Sequence, residues 1–293
     1  MDIFRIKNNN RIIKLTENSF QKETDRKYPY VQTINGEKKY YAICPHCGNP
    51  VIIVNLYRDN IKDSVKKTIK LHARHVKSTI KDIAEYNESS YLDCPLSNPE
   101  SFGSSIKRAP GSNMNNDIFN LIKNHPDLLY GMCRSIIGIN FSEKFFIKMM
   151  EDFAAAKGYE FRYINKYNLP YSFLYMVDNK AITFQKIFNN EIGKEIENAI
   201  KDKCKIIYVD KNKQINYKTD ENARFTSLEL YFSNYKRHDN NDELYESIEL
   251  LIKENIDNNK TIIFEKTIII DNFYFTNIIE QFLRLKKEIN KMF

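Results

Sequence analysis

Between Cys44 and Cys94 the chain reads C-x2-C-x24-H-x2-H-x18-C, with His72 and His75 as the central pair. No other feature constrains the N-terminal third as strongly. Three of the five cysteines and three of the five histidines fall within these 51 residues. A C-x2-C turn folds the chain back so that two sulfurs face one centre. Zn2+ takes about four such thiolate or imidazole donors in a tetrahedron. Pro45 after the first cysteine and Gly48 after the second suit that turn. Cys94 lies in a second Cys-Pro step, DCPL, much as Cys44 lies in ICPHC. The predicted Zn2+ ligands are Cys44, Cys47, His75 and Cys94, with His72 as the alternative fourth donor. His46, inside the turn, is expected to point outward. Four protein donors leave no position for water, so the site is expected to be structural.

The local fold decides between the histidines. Residues 39–43 (KYYAI) and 51–57 (VIIVNLY) are aromatic and β-branched runs flanking the cysteine turn, which predicts a β-hairpin. From 59 to 86 the apolar positions Ile61, Val65, Ile69, Val76, Ile80 and Ile83 follow the spacing of an amphipathic helix. One helix through 61–83 would put His72 in the apolar stripe and favour it as ligand. A helix beginning after His75 would leave His75 free to reach the metal.

CPHCGNPV followed by HARH resembles the zinc-finger segment at the start of competence-protein CoiA-like proteins, which pairs a Cys-Pro-x-Cys turn with His-x-x-His. Cys44, Cys47, His72 and His75 match its motif positions, over about 35 residues of the chain. The resemblance implies a metal and a nucleic-acid setting. Cys94 is additional to the motif and points to a Cys3His set. The nuclease portion of that family has no counterpart here.

Between 58 and 81 the basic residues are Arg58, Lys62, Lys66, Lys67, Lys70, Arg74, Lys77 and Lys81, opposed only by Asp59 and Asp63. Lys66, Lys70, Arg74, Lys77 and Lys81 recur at three- and four-residue spacing, so one helix would present them on a common face. Lys66, Lys67, Lys70, Arg74, Lys77 and Lys81 are the predicted nucleic-acid contacts. A solvated helix face accounts for the same run, and an acidic protein would also fit it. The net charge of +7 is compatible with an anionic partner and does not require one.

Residues 97–116 collect Ser, Asn, Gly and Pro and read as a linker. Helices are predicted at 117–123, 127–137 and 142–156, strands at 205–209, 226–232 and 261–270, and helices at 243–256 and 276–291. Helices and strands intermix without regular alternation, which predicts an α+β fold. The expected organisation is a zinc-binding β-hairpin/helix module over 1–110, a helical segment over 111–160 and an α+β domain over 161–293.

The first fifteen residues hold no apolar run of signal-peptide length, and no run approaches the roughly 20 residues of a membrane span. Five cysteines are too few for a disulfide scaffold. The expectation is a cytoplasmic protein without a membrane partner; the sequence sets no oligomeric state. The Lys-, Asn- and Ile-rich composition matches an AT-rich bacterial or mobile-element gene. The expected function is a nucleic-acid-binding or protein-binding accessory component of a bacterial defence or mobile-element system. The alternative is a metal-dependent nuclease, either HNH-like or using carboxylates such as Asp210 and Glu229 with Lys236. No P-loop, G-x-G-x-x-G or G-x-S-x-G occurs. Cys133 and Cys204 read as buried small hydrophobes.

Overall fold

The structure is a computed structural model that describes residues 1–57, 71–92, 94–97, 99–177, 180–218, 226–239, 244–257 and 259–292. In chain order the elements are β1 (Ile3–Phe4), β2 (Ile13–Lys14), α1 (Glu17–Thr24), β3 (Val31–Ile34), β4 (Glu37–Ile43), β5 (Pro50–Val54), β6 (His72–His75) and α2 (Glu88–Leu92). Next come α3 (Asn113–Asn124), α4 (Pro126–Ile137), β7 (Ile139–Asn140), α5 (Glu143–Ala155), α6 (Leu169–Met176), β8 (Lys180–Ala181), β9 (Lys186–Ile187) and α7 (Glu191–Lys203). The chain ends with β10 (Ile207–Val209), β11 (Ile215–Tyr217), β12 (Thr226–Asp239), β13 (Leu244–Ile256), β14 (Asn259–Ile269) and α8 (Tyr274–Ile289). The fold is mixed α+β. It divides into two compact units, one of Met1–Glu100, Arg237–Glu246 and Asp271–Phe293, the other of Ser101–Lys236 and Ser247–Ile270.

The first unit is built on an antiparallel sheet in the order β3-β4-β5-β6. Opposed residues share a face, and side chains alternate along each strand. Ala42, Val51, Ile53 and Ala73 therefore point to one side, where they bury Phe4, Leu15, Phe20 and Leu56. Tyr41 and Ile43 point to the other side and pack with Ile52, Val76, Ile80 and Ile83. Both faces are covered, which explains why the central strands read as nearly continuous apolar runs. Helix α1 starts at a capping box between Thr16 and Ser19. The segment from Asp271 is tied in where Lys14 Nζ donates to Asp271 Oδ1 at 2.8 Å.

The helix expected over 59–86 is overturned from residue 71 onward. His72–His75 is a strand paired with β5, and the chain then turns through 80–84. Pairing with a neighbouring strand outweighed the local apolar spacing. Residues 58–70 lie outside the described residues.

In the second unit α4, α5 and α6 pack through an aromatic cluster of Tyr130, Phe141, Phe146, Phe153 and Phe173. A sheet in the order β14-β13-β12-β8 follows. The helix predicted over 243–256 is instead β13, a central strand between β12 and β14. Ile248, Leu250 and Ile252 are buried at alternate positions, and Leu251 is buried on the opposite face. A strand covered on both sides carries apolar residues at mixed spacings, and these imitate a helical period. The helices predicted at 117–123, 127–137, 142–156 and 276–291 fall on α3, α4, α5 and α8. The strands predicted at 205–209, 226–232 and 261–270 fall on β10, β12 and β14. Helix α7 had no counterpart in the sequence reading. Among the described residues no helix is long and apolar enough to cross a membrane.

Candidate metal centre

The turn between β4 and β5 carries the first two cysteines. Gly48 N–H donates to Cys44 O at 3.1 Å, and Cys44 N–H to Asn49 O at 2.8 Å, closing the turn. Gly48 has φ +75°, a conformation that disfavours side chains. His75 lies opposite Val51, one residue from the cysteine end of β5. It shares the sheet face of Ala42 and Val51, the face toward which Cys44 continues by alternation. His72 lies opposite Val54, three residues and roughly 10 Å farther along, on the opposite face. Strand geometry thus separates the two histidines by both distance and direction.

Cys94 arrives from the far side, just after α2. Its N–H donates to Tyr91 O at 3.2 Å, and its carbonyl accepts from Ser97 N–H at 3.1 Å. Cys44, Cys47, His75 and Cys94 each offer a donor atom, and all four atoms lie within 4.8 Å of one another. His72 is buried but is not part of this group. The Sγ atoms of Cys44 and Cys94 are 3.7 Å apart. His75 Nε2 is 3.4 Å from Cys47 Sγ and 3.8 Å from Cys94 Sγ. Metal–sulfur bonds of about 2.3 Å and metal–nitrogen bonds of about 2.0 Å give tetrahedral edges of about 3.8 Å between sulfurs and about 3.5 Å between sulfur and nitrogen. The observed separations match those edges, so the four residues fit a metal ion.

The thiols are electrostatically coupled. Burial, reinforced by the neighbouring thiols, pushes Cys44 well above the usual range. Hydrogen bonds from Cys44 and Cys94 pull Cys47 far down and outweigh its burial. At Cys94 the hydrogen bond to Cys44 acts downward, but the bond to Cys47 and burial prevail and bring it to about 12. Within the cluster Cys47 is thus the sulfur drawn toward the thiolate, and Cys44 and Cys94 are drawn toward the protonated form.

Sequence reasoning missed Asn49, which is fully buried. Its Nδ2 donates to Cys47 Sγ at 3.3 Å and to Asn87 O at 3.0 Å, and its Oδ1 accepts from Asn87 N–H at 2.6 Å. Asn87 Oδ1 in turn accepts from Ser90 N–H at 2.8 Å in the first turn of α2. One side chain thus stabilises a ligand sulfur and ties the cysteine turn to the segment leading to Cys94. The only trace in the sequence is an amide two residues after Cys47. Asn49→Ala is expected to weaken metal affinity by roughly 10- to 100-fold, measured by competition with a chromogenic chelator, with all four ligands intact.

Of the predicted nucleic-acid contacts, Arg74, Lys77 and Lys81 are exposed. They lie on β6, in the following bend and in a turn, so the common helix face expected for them is overturned. Lys77 Nζ sits 5.2 Å over the Tyr91 ring, whose edge contacts His75. Lys66, Lys67 and Lys70 lie outside the described residues.

The groups considered for catalysis each have partners of their own. Asp210 accepts from Asn212 and Gln214 N–H in the β10–β11 turn, Glu229 pairs with Lys260 at 2.9 Å, and Lys236 pairs with Glu249 at 3.4 Å. Cys133 and Cys204 are buried, and burial raises both thiols, Cys204 to about 12. No family model, curated protein or solved structure matches this chain.

Proposed function

We propose that Cys44, Cys47, His75 and Cys94 hold a structural Zn2+ ion, and that the centre supports a basic surface for nucleic acid or a nucleic-acid-bound protein. The observation that carries the metal assignment is the convergence of the four donor atoms within 4.8 Å of one another, with three separations near tetrahedral edges. Three thiolates and one imidazole are a soft donor set that suits zinc. With no open position, the ion's contribution is to hold β5, β6 and the Cys94 segment together. The protein is then a non-catalytic accessory component, in keeping with the bacterial defence or mobile-element setting drawn from its composition and from the CoiA-like segment. Support for an anionic partner comes from the eight cations between 58 and 81, set against two carboxylates. Arg74 and Lys77 flank the ligand His75 in sequence.

The test is binding of single- and double-stranded DNA and RNA, followed by fluorescence anisotropy. Affinity is expected to fall by at least about tenfold between 50 and 200 mM salt. Reversing Lys66, Lys70 and Arg74 to Glu should lower affinity similarly and flatten the salt slope, while zinc content stays unchanged. Absence of binding at low salt would overturn the nucleic-acid reading and favour an acidic protein partner. Cleavage of the probe with added Mg2+ or Mn2+ would overturn the non-catalytic one.

A further inference from the structure

Helix α8 faces residues 11–19 of its own unit across an open groove of about 470 Å3. Phe273, the N-cap of α8, begins the helix wall. Asn277, Gln281 and Arg284 continue it at spacings of four, four and three, so all four side chains share one helix face. The opposite wall is the stretch through β2 and the start of α1, with Arg11 and Lys14 as its cations. From Phe273 to Arg284 the helix wall runs roughly 16 Å. The volume divided by that length leaves a cross-section of roughly 30 Å2, or about 5 to 6 Å across. An α-helix is about 10 Å wide, and the major groove of a DNA duplex alone is about 12 Å wide, so neither enters. One extended strand fits.

The side chains select which strand. Among the lining residues Arg11, Lys14 and Arg284 stand against one carboxylate, Glu280. The three cations are not equivalent. Lys14 is committed to Asp2 and Asp271, and lies 5.8 Å from the centre of the Phe273 ring. Arg11 gives an N–H of its five-donor fork to Glu23, and its side chain is still 56% exposed. The Arg284 guanidinium has no ion pair or hydrogen bond among the described residues. Beyond it, residues 285–292 add Lys286, Lys287 and Lys291 against Glu288 alone. The strand that this end of the groove favours is therefore anionic. Phe273 presents a ring on which an unpaired base can stack, and Asn277 and Gln281 present amides suited to a base edge. Gln281 Nε2 donates to Asn277 Oδ1 at 3.2 Å, which leaves Asn277 Nδ2 and Gln281 Oε1 to a ligand. A peptide would need a strand edge to pair with, and β2 is only two residues long.

We infer that this groove seats a short single-stranded stretch of DNA or RNA, with Arg11 and Arg284 on its phosphates and a base against Phe273. The inference rests on the nucleic-acid reading above and adds a contact separate in sequence from the cations of 58–81.

The test is fluorescence anisotropy of a labelled single-stranded oligonucleotide of about ten nucleotides with the full zinc-loaded chain at low salt. Arg284→Glu should weaken binding about fivefold or more and flatten the salt slope. Arg284 is exposed, so thermal unfolding of this variant should match the parent. Phe273→Leu should also cost about fivefold or more, through lost stacking. Lys286→Glu makes the same charge change on the far side of α8 and should cost no more than about twofold. Ultraviolet cross-linking of the oligonucleotide should map to peptides containing residues 11–14 or 273–284. Binding that ignores both Arg284→Glu and Phe273→Leu, but is lost on reversing Lys66, Lys70 and Arg74, overturns the groove and leaves the nucleic-acid reading standing. No binding at low salt overturns both. Tighter binding of the matching duplex, or of an acidic peptide of similar length, overturns the single-stranded assignment.

Discussion

Cys94→Ser should return a protein without zinc and with the first unit largely unfolded. Cys94 is the ligand that reaches the centre from outside the β4–β5–β6 sheet, and nearby it brings α2 and the Asn49–Asn87 bracket. Structural zinc sites contribute on the order of 10 kcal/mol of apparent binding free energy near neutral pH, and that binding is coupled to folding. Losing even about 4 kcal/mol of it would lower the melting temperature of a unit this size by roughly 15 °C. The measurements are metal analysis and thermal unfolding, with about one zinc per chain in the parent protein. Cys133→Ser, at a buried thiol outside the cluster, is the control and should keep its zinc. The pH dependence has a definite sign. Cys44 and Cys94 hold their protons at neutral pH in the metal-free cluster, so binding must expel them. Affinity therefore rises with pH and is lost as pH falls. Zinc retained by Cys94→Ser would remove this residue from the centre.

Gly193→Ala should be the most damaging single-methyl change in the second unit. A Cβ at Gly193 would meet Phe188 O at 2.0 Å and Gly138 O at 3.1 Å. Neither is a flexible side-chain end, and Phe188 N–H is itself bonded to Gly138 O at 2.9 Å. The start of α7 is also fixed by Asn190, whose Oδ1 accepts from Gly193 N–H at 2.8 Å while its Nδ2 donates to Ser135 O at 2.8 Å. Backbone must move, and about 4 kcal/mol or more of stability is expected to be lost. The contrasting variant is Gly131→Ala in α4, where a Cβ meets nothing within 4 Å. It should gain up to about 1 kcal/mol from helix propensity. Denaturant unfolding of the two variants compares them directly.

Spacing made the cysteines legible, because a C-x2-C turn and a later Cys-Pro step follow a local rule. The histidine was not, because the choice depends on whether 72–75 is helix or strand. Val76, Ile80 and Ile83 look helical in sequence. In the fold they line one face of a sheet from a turn, and only pairing with β5 reveals that. The same substitution of strand for helix occurred at β13, where burial on both faces blurs the alternation. Asn49 was invisible for another reason: its role lies in a bond to Asn87, thirty-eight residues away, and a lone amide has no period. Helices α4 and α5 were legible from their apolar spacing, and in the fold Pro126, Gly138 and Ser142 mark their ends.

The first unit is discontinuous in sequence, and this sets an order of events at the ribosome. Synthesis is vectorial, and the strands around the cysteines emerge early. The Lys14–Asp271 bond, and the groove that α8 forms with residues 11–19, must wait for the final stretch of chain. By then the second unit's residues have already been made. The first unit is thus the first to begin folding and the last to finish. A nascent chain stalled before residue 271 would present the cysteine cluster on an unfinished body, open to the quality-control machinery that recognises incomplete proteins.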